Sequence, residues 1–202
     1  MKFIAHRRNT IEELKATPNE YGVEVDIRSN NGQLIIHHDP LNLGENFEAW
    51  LKHYQHGTLI LNVKEEGLEP SLIELMKKYY ITDYFFLDQS FPFLIKWSNL
   101  GEHCCAVRVS EFETIETALT LSGKVDWVWV DCFTHFPLSD IDAKRLQDAG
   151  FKLCLVSPEL QGRPAEIEIP QLAQLLYEFS IKPEAICTKR IDLWKNHLQV
   201  NK

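Results

Sequence analysis

A chain of 202 residues that is 45% apolar and 25% charged can bury one substantial core and cover it with solvated groups, which excludes a disordered polypeptide. Its formal charge of −8 argues against a nucleic-acid partner, which would need a basic face for phosphates. No apolar run approaches the roughly 20 residues of a membrane span, and MKFIAHRR leads straight into a strand-like segment, so a cytoplasmic protein of one domain over residues 1–202 is expected.

In chain order, KFIAHR opens as a strand, and Thr10 with Glu13 then has the form of a helix start. VEVDIRS and LIIHHD follow as extended segments, after which ENFEAWLKHY aligns Phe47, Trp50, Leu51 and Tyr54 on one helical face. LILNVK is the next strand, and PSLIELMKKYY begins a helix on proline and stacks Leu72, Leu75, Met76 and Tyr79. DYFFLDQ and CCAVRVS read as strands. The segment EFETIETALTLSG is helical through Ile115, Ala118 and Leu119 and stops near Gly123. DWVWVDC is a strand, Ser139 with Asp142 marks a helix start, and KLCLVSP, the helix PQLAQLLYEFS and the strand EAICTK complete the chain. Five cysteines, odd in number and without a C-x-x-C, read as small core residues of a reducing compartment. Trp127 and Trp129 read as core, and His53, His56, His103, His135 and His197 as surface.

Strand followed by helix, repeated about eight times, implies a parallel sheet in an α/β chain. A compact single-domain (β/α)8 TIM barrel is the expected fold, for which about 200 residues is the lower limit. An open doubly wound sheet produces the same alternation.

Parallel strands covered by helices should be almost continuously apolar. Several here instead carry polar groups at every second position near their C-terminal ends: Glu24, Asp26 and Arg28; Asn62 and Lys64; Arg108 and Ser110. His6, Asp88, Asp131 and Ser157 end other strands. If the apolar positions meet the helices, the polar ones face the mouth of a barrel, where such folds build their sites. Paired carboxylates on alternate residues suit a hard cation, Arg7, Lys64 and Arg108 suit phosphate, and His6 and His38 can move protons near neutral pH. The combination points to phosphoryl chemistry, and no glycine-rich phosphate loop or serine-nucleophile motif competes.

The segments IAHRR, VEVDIRSNNGQLIIHHDP and LNVK, in that order, resemble the N-terminal half of the glycerophosphodiester phosphodiesterases, which belong with the phosphatidylinositol-specific phospholipase-like β/α barrels. The resemblance covers about a third of the chain and marks a divergent member. It implies a hydrolase that splits a small-molecule phosphodiester, glycerol- or sugar-linked, with His6 and His38 as the acid–base pair. It further implies a divalent cation, Mg²⁺ or Ca²⁺, on Glu24, Asp26 and the position of Asn62. Arg7, Arg28, Lys64, Asp88, Arg108 and Asp131 would serve phosphate and substrate. Position before Asp39 favours His38 over His37 in the pair. The family's pattern has a metal-binding Glu where this chain has Asn62, a glycine after His-Arg where it has Arg8, and a terminal Thr-Asp where it has Thr188-Lys189. Two alternatives remain: a metal-independent lyase in which Arg28 or Lys64 replaces the metal, and a non-catalytic barrel that binds a phosphorylated ligand.

Overall fold

The computed structural model describes residues 1–200. Its strands are β1 (Lys2–Ala5), β2 (Gly22–Asn30), β3 (Gln33–Ile36), β4 (Glu45–Asn46), β5 (Leu59–Val63), β6 (Tyr84–Leu87), β7 (Ala106–Val109), β8 (Trp127–Val130), β9 (Lys152–Val156) and β10 (Ala185–Thr188). Its helices are α1 (Ile11–Ala16), α2 (Phe47–Leu51), α3 (Glu69–Lys78), α4 (Phe91–Asn99), α5 (Ile115–Leu119), α6 (Asp140–Asp148), α7 (Ala165–Glu178) and α8 (Ile191–Val200). Every strand segment named from the sequence contains a strand. The packing divides the chain into two compact units, Ile4–Cys105 and Met1–Phe3 with the chain from Ala106 onward.

In the first unit, β1, β2, β5 and β6 are successive parallel neighbours, with Ile4 opposite Gly22, Val25 opposite Leu61 and Asn62 opposite Leu87. A further parallel bridge joins Phe86 to Cys105. Gly22 is required by the close approach of the chain: a Cβ there would fall on Ile4 and on the carbonyl of Thr58. Val23, Val25, Ile27, Leu59 and Leu61 are fully buried, along with Phe47 and Trp50 of α2 and Leu72 of α3. The helix α2 is shorter than its sequence stripe. Tyr54 lies three residues beyond its end, half-buried, where its hydroxyl donates to the Gly57 carbonyl.

The strand β2 outruns its parallel neighbours and folds back. Asn31 and Gly32, at φ 50° and 78°, make a two-residue turn of the kind that favours positive φ at both positions. Then β3 returns antiparallel, with Asn30 opposite Gln33 and Ile27 opposite Ile36. LIIHHD is therefore the second arm of a hairpin, and its strand ends at Ile36. His37 and His38 lie past that end, so strand alternation does not decide which way either one turns.

In the second unit β7, β8, β9 and β10 are parallel in chain order, with Arg108 opposite Trp129 and Ile186 opposite Leu155. Trp127 and Trp129 are buried core residues. The five cysteines are thiols outside any disulfide; four are buried and Cys104 is half-buried. Both sequence-read helix starts are capping boxes, Thr10 with Glu13 on α1 and Ser139 with Asp142 on α6. Proline misleads once: α7 begins at Ala165, so Pro170 lies inside the helix, where it has no N–H to donate to the preceding turn. Two histidines read as surface are half-buried, His197 on α8 and His56, whose Nε2 is 2.9 Å from the Thr17 carbonyl.

Candidate functional site

Glu24 and Asp26, on the central strand of the first unit, are fully buried. Buried carboxylates persist only when paired and hydrogen-bonded, and the segment following β1 supplies the partners. Arg7 stands at φ 52°, a left-handed conformation that costs a non-glycine residue roughly 1 kcal/mol. This turn aims its backbone N–H at Glu24 Oε2, 2.8 Å away. The Arg8 N–H donates to the Glu24 carbonyl at 2.8 Å. Asn9 grips Asp26 at both ends: its Nδ2 donates to Oδ2 at 2.8 Å and its Oδ1 accepts the Asp26 N–H at 3.1 Å. The chain then enters the Thr10 cap of α1.

The neighbouring strands complete the cluster. Asn62, level with Asp26 on β5, donates from Nδ2 to Glu24 Oε1 at 2.9 Å. Lys64 Nζ is 3.3 Å from Asp26 Oδ1 and 3.3 Å from Asp88 Oδ2. Asp88, just past β6, has φ 60°. Arg7 Nε lies 3.5 Å from Asp26 Oδ2, and His6 Nε2 lies 3.7 Å from Glu24 Oε2. Burial pushes the Glu24 carboxyl up to about 7, helped by the neighbouring Asp26 charge and opposed by the bonds from Asn62 and Arg7 and by Lys64.

Arg28 faces a different task. Its Nε and Nη2 donate to the His38 carbonyl at 3.1 and 2.9 Å and its Nη1 to the Lys64 carbonyl at 3.4 Å, while Glu65 lies 3.7 Å away. It braces the backbone that carries His38. The His38 ring is 42% exposed, and its Nδ1 is 2.7 Å from Asp39 Oδ1. This bond holds the Asp39 carboxyl below its ordinary value. A carboxylate there accepts, so Nδ1 carries the proton and Nε2 is left to receive one. His37 instead accepts the Asp39 N–H on its own Nδ1 at 3.0 Å.

His6, Arg7, Glu24, Asp26, Asn62, Lys64 and Asp88 are thus joined by direct contacts, and His38 is tied to the group through Arg28. Arg108 and Asp131 belong to the second unit. There Arg108 Nη1 donates to Asp131 Oδ2 at 2.6 Å and Gln161 Nε2 to Asp131 Oδ1 at 2.5 Å, so the buried Asp131 is held from both sides. Nearby, Glu159 accepts from Ser157, from Thr188 Oγ1 at 2.6 Å and from the Lys189 N–H at 2.8 Å. Asn9 was missed in the sequence. It stands in a loop with no periodicity, and only the fold brings it to Asp26.

Glu24, Asp26 and the Asn62 carbonyl form an all-oxygen set of the kind hard divalent cations take. Asn62 Oδ1 is a buried acceptor without a hydrogen bond, which leaves a place for such an ion, whereas Asp26 Oδ1 faces Lys64 Nζ at 3.3 Å. It is a lean set, because among the described residues no three His, Cys, Asp or Glu side chains are grouped to hold a metal. The third position is an uncharged amide, and Lys64 already lies against Asp26.

The fold defined by these elements is a (β/α)8 barrel, a class that hosts many chemistries. Two solved structures from Agrobacterium tumefaciens share it. One is a glycerophosphodiester phosphodiesterase, at TM-score 0.65 and 13% identity over 98% of this chain and 99% of its own. The other is described as a glycerophosphoryl diester phosphodiesterase, at TM-score 0.68 and 14% identity over 98% of both chains. No family profile matches the sequence, and no curated protein does. Among the described residues, no helix is long and apolar enough to cross a membrane.

Proposed function

We propose that the chain cleaves a small phosphodiester, with His6 and His38 moving the protons and Arg7 and Lys64 binding the phosphoryl oxygens. The observation that carries this reading is the buried Glu24–Asp26 pair, bound by Arg7, Asn9, Asn62 and Lys64, with His6 3.7 Å from Glu24 and the His38 backbone braced by Arg28. The likeness of fold to structures named as glycerophosphodiester phosphodiesterases supports it. One imidazole takes the proton of the attacking hydroxyl, from water or from the substrate itself. The other gives its proton to the departing alkoxide. Asp39 fixes the His38 tautomer, and the Arg7 guanidinium offers a planar fork to the phosphate. A divalent cation on Glu24, Asp26 and Asn62 would supply Lewis-acid stabilisation of the phosphoryl charge.

One observation favours a second reading, in which no metal is needed: Lys64 Nζ lies 3.3 Å from Asp26 and balances its charge from within the chain. Product release from glycerophosphocholine, a sugar phosphodiester and a chromogenic diester separates the two, assayed with Mg²⁺, Ca²⁺ or chelator. Metal-dependent turnover that Asn62→Glu strengthens at low metal supports the first reading. Chelator-resistant turnover abolished by Lys64→Met supports the second. His38→Ala should lower kcat by ~10²–10⁴-fold under either. Folded protein that turns over no diester would defeat both.

A further inference from the structure

A cavity of about 330 Å³ adjoins the candidate site, sharing Lys64 and Asp88 with it, and its other lining residues have no part in the reaction outlined above. It is lined by Val63, Lys64, Glu65, Glu66, Glu69, Asp88, Gln89, Ser90 and Phe93, four carboxylates against one ammonium. Its most unusual member is Glu69, in the first turn of α3, which is fully buried. Glu69 Oε1 accepts from Gln89 Nε2 at 2.9 Å, whereas Oε2 has no hydrogen bond although it is buried. Two more oxygens at the same cavity are in that position: Gln89 Oε1 and Ser90 Oγ are buried and without a partner. Ser90 is the residue preceding α4, yet its hydroxyl does not cap that helix. A serine there usually bonds a backbone N–H of the first turn, so this hydroxyl is left for something else.

Buried polar atoms without partners are rare, and three around one cavity mark a place where a ligand completes the hydrogen bonds. Glu69 Oε2 and Gln89 Oε1 accept and the Ser90 hydroxyl can do either, and the excess of carboxylates disfavours an anion. We infer that this cavity binds a primary ammonium group, whose three N–H donors would meet Glu69 Oε2, Gln89 Oε1 and Ser90 Oγ. The size suits a small amine, at the low end of ligand pockets. The inference stands on the cavity alone and does not depend on phosphodiester cleavage.

The test is titration of the intact protein with n-propylammonium and, separately, with tetramethylammonium, which has the same charge and no N–H donor. The Gln89 side-chain amide and the Ser90 backbone amide are followed by NMR. Saturable binding of n-propylammonium in the millimolar range is expected, with tetramethylammonium and the Glu69→Gln variant each weaker by about tenfold or more. If Glu69→Gln does not fold, Gln89→Leu and Ser90→Ala carry the same comparison. Equal binding of the two amines, unchanged binding in the variants, or no shift up to roughly 50 mM would overturn the inference. So would saturation of the same resonances by Mg²⁺ or K⁺ at lower concentration, which would make the cavity a metal site.

Discussion

Asn9 shows how much a single residue outside any motif can matter. It is the only side chain found to bond both the carboxylate and the backbone N–H of Asp26 among the described residues. Its removal leaves a fully buried carboxylate short of a donor, so Asn9→Ala should destabilise by ~1–3 kcal/mol, measured by urea denaturation. In the proposed reaction Asp39 would act at one remove, since its carboxylate bonds His38 Nδ1. As a positioning residue, Asp39→Asn should lower kcat with little change in KM and move the alkaline or acid limb of the pH–rate profile. An unaltered profile would mean that His38 needs no such support. The residues that the sequence identified did so through a conflict: Glu24, Asp26, Asn62 and Lys64 are polar where a parallel strand should be apolar. Asn9, Gln89 and Ser90 create no conflict, because polar residues are ordinary in loops, and only the folded chain shows what they face.

At the scale of elements, the strands were readable because burial on both faces makes them short, dense apolar runs. Helix lengths were not. Both α2 and α5 have five residues, although the stripe of α2 runs on to Tyr54 and α5 was expected to reach Gly123, and α7 continues through Pro170. Such endings are decided by packing, which overrides local preference. Gly22 and Gly32 separate two uses of the same residue. A methyl at Gly22 meets Ile4 and the Thr58 carbonyl, so Gly22→Ala should cost ~1–3 kcal/mol through overpacking. At Gly32 nothing lies within 4 Å and only the φ of 78° resists, so Gly32→Ala should cost ~1 kcal/mol. Parallel melts of the two variants compare them directly.

A loop in the second unit is held electrostatically. Glu111 accepts the backbone N–H groups of Phe133, Thr134 and His135 at 3.2, 2.7 and 2.8 Å. Burial alone would raise its carboxyl, but these donors outweigh burial and hold it at about 2. A carboxyl depressed in the folded state contributes stability above its unfolded value near 4.5, and that contribution is lost as pH falls from about 4.5 to about 2. Its ceiling is ~3 kcal/mol. Glu111→Gln should therefore flatten the loss of stability across that window. An identical acid profile in the variant would show that the loop bonds do not depend on the charge.

The whole molecule carries a charge of −8 and, on the reading proposed, acts on an anion. Of its local cations, Lys64 is already balanced by Asp26 and Asp88, so the long-range field should repel the substrate. For a monoanionic diester, kcat/KM should thus rise between roughly 10 and 150 mM salt, as screening shortens from ~30 to ~8 Å. A fall would mean that Arg7 and its neighbours dominate the approach. The strand–helix rhythm made the α/β class legible at this scale, though an open sheet has the same rhythm, and the solved structures that share the barrel match at only 13% and 14% identity. Most positions in such a barrel need only be apolar and of fitting size.

The β2–β3 hairpin has a practical consequence. Its tip, Asn31 and Gly32, is exposed and its turn is local, while Arg28 anchors the far end to the His38 carbonyl. A fluorophore attached at Asn31 would sit on the hairpin whose far end leads into His38, a proposed acid–base group. It would report occupancy of the site by a change in emission, even for ligands that the protein does not turn over.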